Sequence, residues 1–86
     1  MASVKDTLKQ RQKTHGSFAD HAQTCQDLKD VMKRGKNWDK LTPVQKEALE
    51  MNVHKIARVL SGNPNAKDHW HDIAGYATLA EVEAND

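Results

Sequence analysis

Residues 61–65 read SGNPN, and this loop decides the architecture that the sequence predicts. Glycine, proline and asparagine end helices and form turns, so a helix that reaches this loop should stop there. Apolar residues recur at helical spacing on both sides of the loop, over residues 43–60 and 68–83. Because the connection is short, the two helices that it joins should run antiparallel. The sequence therefore predicts a helical hairpin in the C-terminal half of the chain.

Both helices of this hairpin carry boundary signals. Residues 42–45, TPVQ, combine a threonine N-cap, a proline at the first helical position and a glutamine that can complete a capping box. Asp68 is the predicted N-cap of the last helix, which should continue to about Glu83. The third helix should run to about Leu60, with an apolar face formed by Leu49, Val53, Ile56, Ala57 and Leu60.

Two more helices are predicted before the hairpin. The first spans about residues 4–13 and is broken by His15-Gly16, after which Ser17 can cap the second helix. The second helix should end before Gly35, because glycine suits the left-handed conformation that often follows a helix. Its apolar face contains Phe18, Ala22, Cys25, Leu28 and Met32.

The segment between the second and third helices, residues 36–41, reads KNWDKL and should form a connector with Trp38 and Leu41 packed down. No alternating pattern typical of a strand is present. The predicted fold is therefore all-α: one small four-helix bundle covering residues 1–86, with helices 3 and 4 as an antiparallel hairpin.

Size and composition limit the classes of function. With 86 residues and 37% hydrophobic residues, the chain has little material for a core, so we expect a homo-oligomer. Thirteen basic and twelve acidic residues give no general attraction to nucleic acid or a membrane surface. The single cysteine, Cys25, excludes an internal disulfide and zinc sites with two or four cysteines. Without a long apolar run or a signal-peptide pattern, we expect a cytoplasmic protein with no membrane partner.

The last helix should be covered on two sides. Its apolar stripe contains Trp70, Ile73, Ala74, Ala77 and Ala80, and the other side contains Asp68, Asp72, Tyr76 and Leu79 beside Gly75. A glycine inside a helix costs about 1 kcal/mol relative to alanine. We interpret Gly75 as a point of close approach by another backbone or by a ligand, which again favours a dimer.

The third helix offers charges that complement these acids. Glu47, Met51, His54 and Arg58 share one sector of that helix, and Lys55 lies next to it. The hairpin should bring Arg58 close to Asp68 and Asp72. Two interpretations are open. In the first, an Arg58–Asp72 ion pair only fixes the hairpin in place, since arginine matches a carboxylate geometrically. In the second, Lys55 and Arg58 are donors to a phosphorylated ligand.

Metal binding is a separate question. Mg²⁺ binds carboxylate oxygens and often the phosphates of a substrate. The candidate ligands are the four acids Glu47, Glu50, Asp68 and Asp72. Exposed helices also carry acids at this spacing for solubility, so no cofactor is certain and Mg²⁺ is the candidate. His21 is interpreted as a satisfied core histidine and Cys25 as a small buried hydrophobic residue.

Three motifs resemble those of known proteins: Arg11-x-x-x-His15-Gly16-x-Phe18, His54-Lys55-x-x-Arg58 and DHWHDIAGYA at residues 68–77. In this order they resemble a family of small phage and prophage helical proteins of unknown function. They more distantly resemble the phage nucleotide-modification-associated domain. The resemblance covers most of the chain from Arg11 to Ala80 and implies a phage origin, the cytoplasm of a host cell and a nucleotide-related ligand.

The chain also resembles, distantly, the all-alpha nucleoside triphosphate pyrophosphohydrolases. These enzymes carry Glu-x-x-Glu and then Glu-x-x-Asp, which bind Mg²⁺ across antiparallel helices. Here Glu47-x-x-Glu50 is followed by Asp68-x-x-x-Asp72, a spacing that moves one acid partway round the helix. The resemblance therefore implies a nucleotide-related ligand but not its turnover.

The sequence leads to one expected function and two alternatives. We expect a phage accessory protein that binds a nucleotide or other phosphorylated ligand between helices. The first alternative is a non-enzymatic protein that acts on a host factor by protein–protein interaction, and the second is a Mg²⁺-dependent nucleotide pyrophosphohydrolase. The predicted ligand-binding residues are Arg11, His15, His54, Lys55, Arg58, Asp68, Trp70, Asp72 and Tyr76.

Overall fold

The computed structural model describes residues 3–84 and confirms the all-α prediction. Over these residues the chain forms four α-helices and one short 3₁₀ helix, and no strand. The elements are α1 (Val4–His15), α2 (Phe18–Lys33), the 3₁₀ helix (Trp38–Lys40), α3 (Pro43–Ser61) and α4 (Lys67–Glu81). No helix in this part of the chain has the length and apolar character needed to cross a membrane.

The predicted N-caps of α2 and α3 are present. The Asp20 N–H donates to the Ser17 hydroxyl oxygen at 3.5 Å. At Thr42 both hydrogen bonds of the capping box form: the Gln45 N–H donates to the threonine hydroxyl at 3.1 Å, and the Thr42 N–H donates to the glutamine amide oxygen at 3.0 Å. These bonds satisfy backbone donors that have no partner within the helix.

The predicted N-cap of α4 was wrong. Ala66 occupies the cap position and supplies no side-chain hydrogen bond, while Asp68 lies in the first turn of the helix. The preceding turn is closed by Asn63, whose side-chain oxygen accepts the Asn65 N–H and whose carbonyl accepts the Ala66 N–H. Because the turn ends at Ala66, the helix starts two residues earlier than the aspartate signal suggested. It also ends at Glu81, two residues before the predicted Glu83.

Helix α3 is the centre of the molecule and packs against each of the other three helices. The buried cluster is small and consists of Cys25, Val53 and Ala57, with Leu28 and Met32 packed against it. Many large apolar side chains remain exposed, as expected for a short chain with few apolar residues. Trp38 and Leu41 in the connector are half-buried, in line with the predicted packing.

The face of α4 that packs inward differs from the predicted apolar stripe. The buried and half-buried residues of α4 are His69, Asp72, Ile73, Tyr76 and Ala80. Trp70, Ala74 and Ala77 are exposed, and the Trp70 ring N–H donates to the Pro64 carbonyl at 2.8 Å. Alanine contributes little apolar area, so a stripe built mainly from alanines does not fix the rotation of a helix.

The turn between α1 and α2 is held against the end of α3. Gly16 has φ +82°, a conformation that favours glycine, and a Cβ at this position would overlap the Ser61 carbonyl. The His15-Gly16 break therefore has two functions in the fold: it ends α1, and it lets two backbones come into close contact. This contact carries His15 to the end of the α3–α4 hairpin.

Candidate functional site

The ion pair of the hairpin joins Lys55 to Asp72. The lysine ammonium lies 2.9 Å from the aspartate carboxylate. The predicted partner Arg58 was wrong, and the register of the hairpin gives the reason. Lys55 lies six residues before the end of α3 at Ser61, and Asp72 lies five after the start of α4, so they are level. Arg58 is nearer the loop, where it is level with His69.

The roles of the two α3 cations are therefore reversed. Lys55 was predicted as a donor to a ligand, yet only 11% of its side chain is exposed and its ammonium pairs with Asp72. Arg58 was predicted as the structural partner, yet it is half-buried and lines two cavities. The hydrogen bond from Lys55 lowers the pKa of Asp72, so this carboxylate is ionised and committed to the lysine at neutral pH.

A positively charged region surrounds His15. The rings of His15 and His69 have centroids 5.3 Å apart, which brings the end of α1 onto the start of α4. Burial lowers the pKa of His15, and the nearby charge of Arg58, then of His69, Lys55 and Arg11, lowers it further. Three of the predicted ligand donors therefore add their charges to the effect of burial. The lowered pKa keeps His15 neutral at physiological pH.

A polar cavity of about 500 Å³ lies at the start of α4. His15 and Arg58 form one side of it, and the first turn of the helix forms the other. The N-cap residue Ala66 makes no side-chain hydrogen bond, so it does not satisfy the first backbone N–H groups of α4. The lining residues are His15, Arg58, Ala66, Lys67, Asp68, His69 and Asp72.

A second cavity, of about 460 Å³, is mainly apolar and shares His15 and Arg58 with the polar one. Phe18 forms part of its wall, with 81% of its surface exposed, and its ring stacks on His21 with centroids 6.0 Å apart. The lining residues are Leu8, Arg11, Gln12, His15, Gly16, Phe18, His21 and Arg58. The two cavities therefore form a pair that meets at His15 and Arg58.

A cluster of nitrogen and sulfur atoms lies between α2 and α3. The Cys25 sulfur is 3.5 Å from Nε2 of His21 and 3.8 Å from Nδ1 of His54. Burial lowers the pKa of both imidazoles and raises the pKa of the Cys25 thiol. His21 is buried, as expected for a core histidine, but its Nδ1 has no hydrogen-bond partner, so it was not the satisfied residue that we predicted.

The comparisons with known proteins give a family and no activity. The family model described as Domain of unknown function (DUF6378) matches residues 1–84. The chain belongs to this family. No curated protein and no solved structure matches the chain.

The structure brings about half of the predicted site residues together. Arg11, His15, Arg58, Asp68 and Asp72 line the paired cavities, and Lys55 contacts them through Asp72. Three predicted residues lie elsewhere. His54 belongs to the cluster with Cys25, Trp70 is on the surface against Pro64, and Tyr76 lines a third cavity with His71, Asp72, Gly75 and Leu79.

Several lining residues were not predicted. His69 and Lys67 flank the predicted Asp68, and Leu8, Gln12 and Phe18 flank the predicted Arg11 and His15. In an antiparallel hairpin with this loop, residue 69 lies level with Arg58. This register could have predicted His69 as a residue that lines the cavity. The apolar residues carried no such signal, because their role depends on how α1 folds over the hairpin.

The predicted Mg²⁺ ligands do not come together. Glu47 and Glu50 line neither of the paired cavities, whereas Asp68 and Asp72 both line the polar one. Among residues 3–84, the histidine, cysteine and carboxylate side chains close enough to share one metal ion are His21, Cys25 and His54. A Mg²⁺ ion near Asp68 and Asp72 would need further oxygen ligands from a bound molecule.

Proposed function

We propose that the protein binds a nucleotide or a similar phosphorylated small molecule across the paired cavities. The observation that carries the proposal is the sharing of His15 and Arg58 between a polar cavity and a mainly apolar one. Small-molecule sites typically have volumes of about 300–1,000 Å³, with apolar walls and a few polar groups that fix orientation. Both cavities, at about 460 and 500 Å³, fall in this range.

The polar cavity suits the phosphate end of such a ligand. Arg58 presents a planar guanidinium that can donate two hydrogen bonds to one phosphate, and Lys67 adds a second positive charge. The N-terminus of α4 contributes its backbone N–H groups and the positive end of the helix dipole. Each of these groups favours an anion at the same place.

The apolar cavity suits the base or another flat group. The exposed ring of Phe18 and the Leu8 side chain offer apolar contact, and the Gln12 amide can both donate and accept hydrogen bonds. Arg11 lies on the same wall and can contact a sugar or a second phosphate. This combination is common where a ligand has one flat apolar end and one charged end.

The acids favour binding rather than turnover. Asp72 already pairs with Lys55, so it repels a phosphate less than an unpaired carboxylate would. Asp68 is the remaining carboxylate of the polar cavity, and it can share a Mg²⁺ ion with ligand phosphates. Hydrolysis in the manner of the pyrophosphohydrolases would call on Glu47 and Glu50 as well, which lie outside the cavities. We therefore retain the hydrolase as the lesser alternative.

Calorimetry with nucleoside mono-, di- and triphosphates, with and without Mg²⁺, tests the proposal. Arg58→Ala should abolish the binding heat, because the charge-assisted hydrogen bonds of Arg58 are worth about 1.5–3 kcal/mol each. Arg34→Ala is the matched control, since Arg34 is an exposed arginine at the C-cap of α2 and should leave binding unchanged. If the parent protein gives no heat at millimolar ligand, the proposal is wrong.

A second candidate is a protein–protein interaction through the outer face of α4, most simply with a second copy of the chain. Among the described residues 3–84, no atom lies within 4 Å of a Cβ placed at Gly75, so none of them makes the close approach inferred for this glycine. A cavity of about 370 Å³ lies beside it, and Leu79 is 61% exposed. An interacting host factor, which was the first alternative drawn from the sequence, stays a prediction, as do a phage origin and a host-cytoplasmic location.

A further inference from the structure

We propose that His21, Cys25 and His54 form a zinc-binding site between α2 and α3, with a water molecule as the fourth ligand. This site does not depend on the proposed nucleotide ligand. His21 and Cys25 lie one turn apart on α2, and His54 approaches them from α3. The three ligand atoms all lie within 4.8 Å of one another, and His21 and Cys25 are buried.

The interatomic distances fit a tetrahedral zinc centre. Bonds of ~2.3 Å to sulfur and ~2.05 Å to nitrogen, at a tetrahedral angle, separate the two atoms by about 3.6 Å. The cysteine sulfur lies 3.5 Å from the His21 nitrogen and 3.8 Å from the His54 nitrogen. The protein therefore holds each of the two imidazole nitrogens near the distance from the sulfur that zinc requires.

The donor set has the chemistry that zinc prefers. Imidazole nitrogen and thiolate sulfur are both usual zinc ligands, and catalytic zinc sites combine three protein ligands with one position for water. Nε2 of His21 and Nδ1 of His54 both lie close to the Cys25 sulfur, so each ring presents a nitrogen to the same point. When zinc binds, the Cys25 thiol gives its proton to the buffer and the thiolate forms the Zn–S bond.

The position of His21 supplies a further argument. Its Nδ1 is buried without a hydrogen-bond partner, so no acceptor holds this ring in one tautomer and Nε2 is available as a ligand. With the metal at Nε2, Nδ1 carries the ring proton, which needs a water molecule as its acceptor. His21 also lines the apolar cavity, so water can reach the fourth position from that side.

The positive charge of Lys29 disfavours metal binding, so replacing this residue provides a specific test of the zinc site. Its ammonium lies 3.1 Å from Nε2 of His54, and it adds a positive charge near the site. If His54 binds zinc through Nδ1, its Nε2 carries a proton, and Lys29 must turn away because an ammonium cannot accept a hydrogen bond. In Lys29→Gln the amide oxygen can accept this N–H and the charge is removed. We expect zinc affinity to rise about 10-fold, the lower end of reported effects of such supporting groups.

The experiment is a titration of the chelator-treated full chain with Co²⁺, followed by competition with Zn²⁺. We expect one equivalent of cobalt to give a thiolate-to-cobalt charge-transfer band and the visible bands of a tetrahedral centre. Cys25→Ser should lose the charge-transfer band and the rise in Tm caused by zinc. His71→Gln, which removes an exposed histidine of α4, is the control and should bind as the parent does.

Two further variants keep the test decisive. If Cys25→Ser does not fold, as circular dichroism would show, His54→Gln retains the thiol and should still weaken cobalt binding. His69→Gln should leave the cobalt spectrum unchanged, which separates this site from the His15–His69 contact. The proposal is overturned if saturating cobalt gives no charge-transfer band, or if cobalt binding in His54→Gln equals that of the parent.

Discussion

Gly16 shows how one residue type at one position can organise the candidate site. Its positive φ and its contact with the Ser61 carbonyl hold the end of α1 over the end of α3. His15, the residue before it, thereby reaches both His69 and the surroundings of Arg58. The conformation of one glycine thus determines where a titratable side chain of another helix lies.

Replacing this glycine should therefore be costly. Gly16→Ala places a methyl group against backbone atoms, which cannot move as a side chain would, and adds an unfavourable φ. We expect the free energy of unfolding to fall by about 2–3 kcal/mol, measured by urea denaturation. Gly35→Ala is the control, because Gly35 lacks the positive φ and a Cβ there would lie 3.2 Å from the Met32 carbonyl, so it should cost less. Equal losses in the two variants would contradict this explanation.

At the scale of elements, the α3–α4 hairpin is the most extensively packed pair in the fold. Its register places Lys55 level with Asp72 and Arg58 level with His69. The ion pair near the middle of the hairpin fixes this register, and the cation nearer the loop is left to line the cavities. The length of the loop therefore determines that Lys55 forms the ion pair and that Arg58 lines the cavities.

The Lys55–Asp72 pair should stabilise the fold in a pH-dependent manner. Asp72→Asn leaves the Lys55 ammonium poorly exposed and without a charged partner, so we expect a lower Tm at pH 7. Because the folded-state pKa of Asp72 is lowered from 3.8, the stabilisation is fully present above that pH. It should then be lost as the pH falls through the depressed folded-state pKa.

Thermal melts of the parent and Asp72→Asn between pH 2 and pH 7 measure this effect. The difference in Tm should be constant from pH 7 down to about pH 4 and should shrink below it. Asp68→Asn changes a neighbouring carboxylate of the same helix and cavity and serves as the control. A difference that grows on acidification would contradict the assignment.

At the scale of the whole molecule, the chain is extended for its length. Its Cα radius of gyration is 14.8 Å and its extents are 47 × 24 × 23 Å. A compact domain of this length has a radius of gyration of about 12 Å. The buried cluster is small, and Phe18, Leu60, Trp70 and Leu79 are all more than half exposed. A second copy that covers part of this surface would supply the burial that the single chain lacks.

We therefore expect light scattering to show a dimer at tens of micromolar protein. Leu79→Lys should shift the protein towards the monomer, because it places a charge on the open face beside Gly75. Val31→Lys changes a comparably exposed residue of α2 and should leave the dimer intact. A parent protein that is monomeric at these concentrations would refute the dimer, and equal effects of the two variants would place its interface elsewhere.

The sequence by itself determined the fold class, the helix boundaries within a few residues and the antiparallel hairpin. These depend on local chemistry: the capping box at Thr42, the cap at Ser17 and the breaking loop at residues 61–65 act within a few residues of themselves. Motif spacing and resemblance also predicted Arg11, His15 and Arg58 as ligand-binding residues, and the three line one cavity.

Only the tertiary structure decided which partners meet. The rotation of α4 is set by His69, Asp72 and Tyr76 turning inward, a choice that its alanine-rich stripe could not specify. The register of the hairpin pairs Asp72 with Lys55 rather than with Arg58. The packing of α2 on α3 brings Cys25 close to His54, which is 29 residues away in sequence. Such contacts join residues far apart in the chain, and they depend on the packing of whole helices, which no local pattern encodes.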